Sequence, residues 1–236
     1  MSPSPALLRP DPESAILETW TRNAAPWTEA VRNRRIESRR LVTDAAVIAA
    51  VQAGSPRLVL DVGCGEGWLA RSLSLHGIRV IGIDAVAELI ERARTAGGGE
   101  FRVLSYGELA RGLPSVAADR VVCNFSLLGC ESVDALLPAL AGQLAPQGRL
   151  IVQTLHPVMA GPELPYRDGW RPGSWVGCDG AFTDPAPWYF RTLGGWLTLF
   201  ERSGLHVTEI REPLHPVTER PVSLIFIAAA ARAAAG

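Results

Sequence analysis

The chain has 236 residues, 47% of them hydrophobic, and a formal net charge of −1. That apolar content suits one large α/β domain with a substantial core and excludes disorder of the whole. The near-balanced charge gives no electrostatic basis for nucleic acid or an anionic membrane as a bulk partner. Four cysteines, at positions 64, 123, 130 and 178, show neither C-x-x-C spacing nor a neighbouring histidine cluster. No metal site is expected from them, and Cys64 and Cys123 read as buried reduced thiols. The opening MSPSPALLRPDP lacks a basic segment followed by an apolar core, and no run reaches membrane-spanning length. A soluble cytoplasmic protein is the expectation.

Residues 1–12 read as a flexible lead-in and 13–236 as a single domain. Residues 13–54 form a helical cap of two or three pieces: Pro26 suits a first helical turn, Thr43 suits an N-cap, and Gly54 suits a helix end. Strands are then expected over 57–63, 79–85, 100–106, 118–128 and 148–156, with helices over 66–77, 86–97 and 132–145. Continuous apolar strands alternating with helices imply a parallel sheet covered on both faces. From 157 to 190 the pattern dissolves into Pro- and Gly-rich sequence that still carries aromatics, which reads as a lid insertion after the fifth strand. A helix over 192–204 precedes two strands, 205–213 and 221–230, whose short connection requires antiparallel pairing.

Chemistry concentrates in LVLDVGCGEGWLA, residues 58–70. A strand ending in a glycine-rich turn brings backbone N–H groups and a helix N-terminus to the carboxyl edge of the sheet. Asp84 ends the next strand at the same edge, where an acid can accept both hydroxyls of a ribose; it can also cap the following helix. A dinucleotide turn needs a third small residue where this chain has Trp68, and Asp61 would repel a pyrophosphate. A carboxylate there suits a cofactor that carries positive charge.

These residues resemble motif I of the class I S-adenosylmethionine-dependent methyltransferases. VIGIDAVAELIERAR is similar to their second motif, ADRVVCNFSLL to their fourth, and LLPALAGQLAPQGRLIVQTLHP to the segment entering their fifth strand. The resemblance covers roughly residues 55–156 and 188–230. It implies a Rossmann-like, doubly wound, seven-stranded and mostly parallel sheet, with the antiparallel last strand inserted between the fifth and sixth. The implied cofactor is S-adenosyl-L-methionine. By the same resemblance, Gly63 and Gly65 pass close to its methionine part, Asp61 positions its ammonium, Asp84 holds its ribose hydroxyls and Ala85 lies beside its adenine. Asn124 and Phe125 would line the floor near the sulfonium. The third strand of many relatives ends in an acid that meets adenine; here Ser105 stands there, followed by Tyr106, leaving a hydroxyl contact or a stacked ring as alternatives.

Methyl transfer from a sulfonium is an in-line displacement in which the protein mainly supplies orientation. His156, just past the fifth strand, is the leading base candidate, and His215 repeats the His-Pro pair between the last two strands. Both also have plain structural readings as turn residues. Trp20, Trp27, Tyr166, Trp170, Trp175, Trp188 and Tyr189 are candidates to clasp a flat or apolar acceptor, against the reading of a small satellite core. Trp20, Trp27 and Arg39 are also candidates for a cap over the cofactor, with Arg39 facing the methionine carboxylate. Arg167, Arg171 and Arg191 are candidates for an acidic group on the acceptor.

The expected function is methyl transfer to an O or N atom of a small-molecule acceptor, aromatic or acidic, by a monomer or homodimer. Phe-Ser-Leu after Asn124, in place of Pro-Pro-Tyr or Pro-Pro-Phe, argues against methylation of DNA bases or glutamine side chains. The alternatives are a regulatory protein that binds the cofactor without transfer, and a nicotinamide-dependent oxidoreductase.

Overall fold

The computed structural model describes residues 11–112 and 115–231. The expected lead-in therefore falls largely outside the described residues. Its last two residues are helical punctuation: Asp11 caps α1 (Pro12–Arg22) by accepting from the Ser14 N–H, and Pro12 opens the helix. Helix α2 (Ala24–Arg32) follows at once. Thr43 is not the cap that its residue type suggested. The chain enters α3 (Asp44–Gln52) through a π-helical turn, Arg39–Thr43, so Thr43 is already helical and its Oγ1 is buried without a partner. Gly54 leaves α3 with φ +76.

The expected alternation then appears: β1 (Leu58–Val62), α4 (Trp68–Ser74), β2 (Arg79–Asp84), α5 (Ala87–Ala96) and β3 (Glu100–Val103). It continues through α6 (Tyr106–Ala110), β4 (Ala118–Asn124), α7 (Glu131–Gln143) and β5 (Leu144–Leu155). Two boundaries differ for local reasons. The third strand stops at Val103 because Ser105 and Glu108 form a reciprocal capping box that starts α6. The fourth stops at Asn124 because Phe125 takes φ +53 and donates its N–H to the Gln153 carbonyl at 2.8 Å, turning the chain off the strand. A bulky non-glycine residue in the left-handed region is uncommon and marks local strain at the sheet's edge.

After β5 the insertion contains a small antiparallel pair, β6 (Gly169–Arg171) with β7 (Trp188–Phe190), which sequence pattern did not show. Then come α8 (Leu193–Arg202), β8 (Leu205–Arg211) and β9 (Ser223–Ala230). The main sheet has seven strands in the order β3-β2-β1-β4-β5-β9-β8. Strand β9 runs antiparallel to both neighbours, inserted as expected.

Side-chain alternation along the strands divides the core into two layers. On one face Val121, Leu150 and Phe226 meet Leu136, Leu140 and Phe200 of α7 and α8. On the other Val59, Val122, Ile151 and Ile225 meet Val47, Leu69 and Ile90 of α3, α4 and α5. No described helix is long and apolar enough to cross a membrane.

Candidate functional site

The carboxyl edge is built by the β1–α4 turn. Gly63 and Cys64 both donate their N–H to the Ile83 carbonyl, at 2.8 and 3.0 Å, which locks the turn to the end of β2. Gly63 has φ +75, and a Cβ there would fall 2.4 Å from Ser126 Cβ, so only glycine lets the turn close against the β4–α7 loop. Ser126 donates to the Val62 carbonyl at 2.7 Å, and Tyr106 donates its hydroxyl to the Ser126 carbonyl at 3.0 Å. Burial pushes the Tyr106 phenol up, so it remains a neutral donor beneath the glycine turn. Gly67, also left-handed, lets α4 sit against Phe101 and Ala93, which a Cβ would meet at 2.9 and 3.0 Å. The close-packing role assigned above to a missing third glycine is thus filled one position before Trp68.

Two carboxylates face this turn. Asp84 accepts from the Gly65 N–H and the Val86 N–H, both at 2.9 Å, so it braces the turn and starts α5 at once. Its carboxyl is raised by burial, against the pull of those N–H groups. Asp61 is 2% exposed. Burial, then the charge of Asp84, push it up to about 7. An acid raised by desolvation and a like charge is one whose ionised form lacks countercharge. Ala85 lies half-buried beside Asp84.

A polar row continues across the sheet. Asp61 pairs in register with Val122 and Asn124 with Gln153, so by alternation all three polar residues extend the apolar ladder that faces α3. Asn124 Oδ1 and Gln153 Oε1 are buried without a hydrogen-bond partner, although Gln153 Nε2 donates to Ser223 Oγ at 2.9 Å. Buried polar atoms of this kind are exceptions in folded proteins and call for a ligand or ordered water. Gln153 was missed by the sequence reading; an uncharged polar residue near the end of an otherwise apolar strand was the available signal.

Glu66, inside the glycine turn, is fully buried and held by two arginines, Arg71 at 2.6 Å and Arg32 of α2 at 2.8 Å. It ties the helical cap to the turn. Trp27 covers the turn, its Nε1 lying 3.6 Å from where a Gly65 Cβ would be. Trp27 and Trp20 meet edge to face at 5.0 Å and pack with Ala24 on Val86 and Leu89, next to Ala85. Arg39 lies between the Trp27 and Trp68 rings, 5.6 and 4.5 Å from their centroids, and pairs with Asp44 at 2.9 Å. Its Nη2 is buried without a partner. An open cleft of ≈ 520 Å³ runs from Arg39 and Trp68 along the outer side of α4 to Gly98, away from Asp61 and Asp84.

The insertion divides the acceptor candidates into two groups. Trp175 meets Trp20 at 5.7 Å and stacks on Phe182 at 4.6 Å, which closes the cap over the Asp84 side. This contact is secured by Asn23, which donates to the Thr183 carbonyl and accepts from the Thr183 N–H, both at 2.9 Å. Tyr166, Trp170, Trp188 and Tyr189 instead build a satellite cluster around Phe190 and the β6–β7 pair. The Tyr166 hydroxyl accepts from the Leu193 N–H at 3.0 Å, and the Tyr189 N–H donates to the Leu128 carbonyl at 2.7 Å. Arg171 is spent on the Ala160 and Pro165 carbonyls, and Arg191 on the Gly129 and Cys130 carbonyls and Asp134. Neither stands free for an acidic acceptor.

Other candidates are placed as follows. Ser105 spends its hydroxyl in the α6 capping box. His215 turns its Nδ1 to the N–H groups of Val217 and Thr218, at 3.2 and 3.3 Å, inside the β8–β9 connection. His156 is buried where β5 ends, with Nε2 2.8 Å from Glu212 Oε1. Cys64 and Cys123 are buried thiols pushed up by that burial.

Comparison with known proteins agrees with this fold. Residues 60–152 match a family described as a methyltransferase domain. An uncharacterized methyltransferase of Mycobacterium tuberculosis is 36% identical over 137 residues, 57% of this chain and 66% of that protein. A ubiquinone biosynthesis O-methyltransferase of Xylella fastidiosa is 36% identical over 107 residues, which is 43% of each chain. The matches thus span just under two thirds, and less than half, of these relatives. A crystal structure of an S-adenosylmethionine-dependent methyltransferase from Mesorhizobium loti is 25% identical with a TM-score of 0.60, over 78% of this chain and 95% of that one.

Proposed function

The chain belongs to the class I S-adenosylmethionine-dependent methyltransferase superfamily, and from that premise we propose that it moves a methyl group onto an oxygen or nitrogen atom of a small-molecule acceptor. The observation that carries this reading is the pair of buried acids at the ends of β1 and β2, with Asp61 raised to about 7 for want of a countercharge. A cofactor with a cationic amino-acid end supplies that countercharge, and the orphaned Asn124 and Gln153 oxygens, as acceptors, suit an ammonium donor. Asp84 would hold the ribose hydroxyls, since each of its oxygens keeps a lone pair beyond its N–H partner. Arg39 Nη2 is the donor kept for the carboxylate. Trp20, Trp27 and Trp175 would exclude water from the adenosine side.

S-adenosylmethionine, when bound, supplies a methyl already activated by its sulfonium, so the chain contributes mainly orientation, an effect of roughly 7–11 kcal/mol in well-aligned systems. A small acceptor is supported by the folded insertion over the carboxyl edge and by the Xylella relative, whose name places it in ubiquinone biosynthesis. Calorimetry with S-adenosylhomocysteine and with reduced nicotinamide cofactor tests the site: binding of the first alone is expected, and binding of the second alone would sink the proposal. Transfer of isotope-labelled methyl to phenol, amine and carboxylate panels then reads the acceptor atom.

A further inference from the structure

Arg32 of α2 and Arg71 of α4 both line the ≈ 520 Å³ cleft on the outer side of α4, and both answer to one acid. That acid, Glu66, is 0% exposed, so the two guanidiniums bring one positive charge more than they meet. Arg39 and Asp44, the other charged side chains on the wall, offset each other at 2.9 Å. Arg32 donates through Nε to Glu66 and through Nη2 to the Arg92 carbonyl, and Arg71 donates through Nη1 and Nη2 to Glu66. Arg32 Nη1 and Arg71 Nε make no hydrogen bond among the described residues. The side chains are 41% and 28% exposed, so an anion in the cleft can reach them. Apolar surface flanks this charge: Val31 on one wall and Leu75, 86% exposed, on the other. Gly98 closes the far end with φ +90, and a Cβ there would fall 2.8 Å from Arg71 Cα, so a glycine lets the loop after α5 lie flat on α4. The volume is that of a small-molecule site.

We propose that this cleft is a second ligand site, distinct from the cofactor crevice, for a singly charged anion with a compact apolar body, an arylcarboxylate in its simplest form, and that its ligand is an effector and not the methyl acceptor. The carboxylate supplies the charge that Arg32 and Arg71 lack, and the ring system lies between Val31 and Leu75. The cleft runs away from Asp61 and Asp84, so a ligand there does not meet the reacting methyl. It does meet the cap. Arg32 belongs to α2, whose Trp27 covers the glycine turn, and Arg71 to α4, which that turn begins. A ligand shared by both arginines ties α2 to α4 and holds the cap seated. Resting on the methyl-transfer reading above, the coupling is positive: the effector tightens S-adenosylhomocysteine, and S-adenosylhomocysteine tightens the effector by the same factor.

The test is calorimetry on the full chain, first alone and then saturated with S-adenosylhomocysteine. One 1-naphthoate per chain is expected to bind, with 1-naphthamide, which lacks the charge, and inorganic phosphate, which lacks the apolar body, each weaker by about tenfold or more. Leu75→Glu sets a like charge at the mouth of the cleft on an exposed position, and Arg32→Gln removes the surplus charge; each should weaken naphthoate by about tenfold or more. Leu75→Glu should leave S-adenosylhomocysteine affinity as in the parent. In the parent, S-adenosylhomocysteine should tighten naphthoate by about fivefold or more, and naphthoate should slow S-adenosylhomocysteine release in stopped flow. No naphthoate binding, equal affinity for the three probes, or undiminished binding in both variants overturns the site. Transfer of labelled methyl to naphthoate, or naphthoate affinity that S-adenosylhomocysteine leaves unchanged or lowers, overturns its role as effector. Failure of S-adenosylhomocysteine to bind overturns the methyl-transfer reading and the coupling with it, whereas the titrations of the ligand-free chain decide the site independently.

Discussion

The stretch from β1 to α5 and the insertion between β5 and α8 are held by different kinds of contact. In the first, partners lie close in the chain: Asp84 is bonded to the Gly65 N–H 19 residues away and to the Val86 N–H two away. In the second, local bonds such as Arg171 to the Pro165 carbonyl are joined by distant ones: Asn23 meets Thr183 across 160 residues, and Arg191 meets Gly129 across 62. The first region is a local design, set by glycines, caps and apolar periodicity. The second is fastened to surfaces that other segments make, through Asn23 and the Gly129 carbonyl.

Substitutions sharpen that contrast, and the largest effect is expected at the root of the insertion, just past β5. His156→Ala should slow turnover on the order of 10²-fold with any acceptor that supports it, leaving S-adenosylhomocysteine affinity unchanged; equal rates in mutant and parent would leave orientation as the chain's sole contribution. Within the local region, Asp84→Ala should weaken S-adenosylhomocysteine binding by about tenfold or more in calorimetry, because it removes a ligand group and two N–H partners together. An unchanged affinity would take Asp84 out of the site.

The pH response of Asp61 comes next. Its folded value, about 7, lies above the ordinary carboxylate range. The ligand-free folded chain therefore holds more protons than the unfolded one between about pH 4 and 7, and its stability falls as pH rises through that window. A ligand that brings an ammonium to Asp61 favours the ionised acid, so S-adenosylhomocysteine affinity should rise by up to about tenfold from pH 6 to pH 8, with proton release on binding. Asp61→Asn should flatten both curves; a parent curve already flat would remove Asp61 as the countercharge.

The smallest effects lie in the insertion. Asn23 is 1% exposed and bonds Thr183 twice, so Asn23→Ala should lower unfolding free energy by about 1–3 kcal/mol and speed S-adenosylhomocysteine release in stopped flow. Arg22, whose pair with Asp184 has side chains 51% and 71% exposed, should change stability by less than about 0.5 kcal/mol on conversion to Ala. Similar losses from the two would mean that the insertion is not anchored through Asn23.

Much of the first region was legible in the sequence. Gly63, Gly65 and Asp84 declare a turn and its acid by type and spacing alone, and the strand order followed from the resemblance they carry. Thr43 misled, because a helix entered through a π turn presents no free N–H for a hydroxyl to cap. Ser105 was legible as a hydroxyl but not as a cap, although Glu108 three residues on is the mark of a capping box. Arg171 and Arg191 were not legible as structural, since nothing local tells a guanidinium bound for backbone carbonyls from one facing solvent. Glu212 was missed for the same reason: its partner lies 56 residues back.

Glu66 has a consequence for how the enclosure opens. One inaccessible carboxylate answers to one arginine on α4 and another on α2. Any partial departure of α2 strips this anion of half its neutralisation while water is still excluded from it, and intermediate positions of the helix are penalised. Access to the crevice should then be two-valued, α2 either seated or fully released, rather than graded.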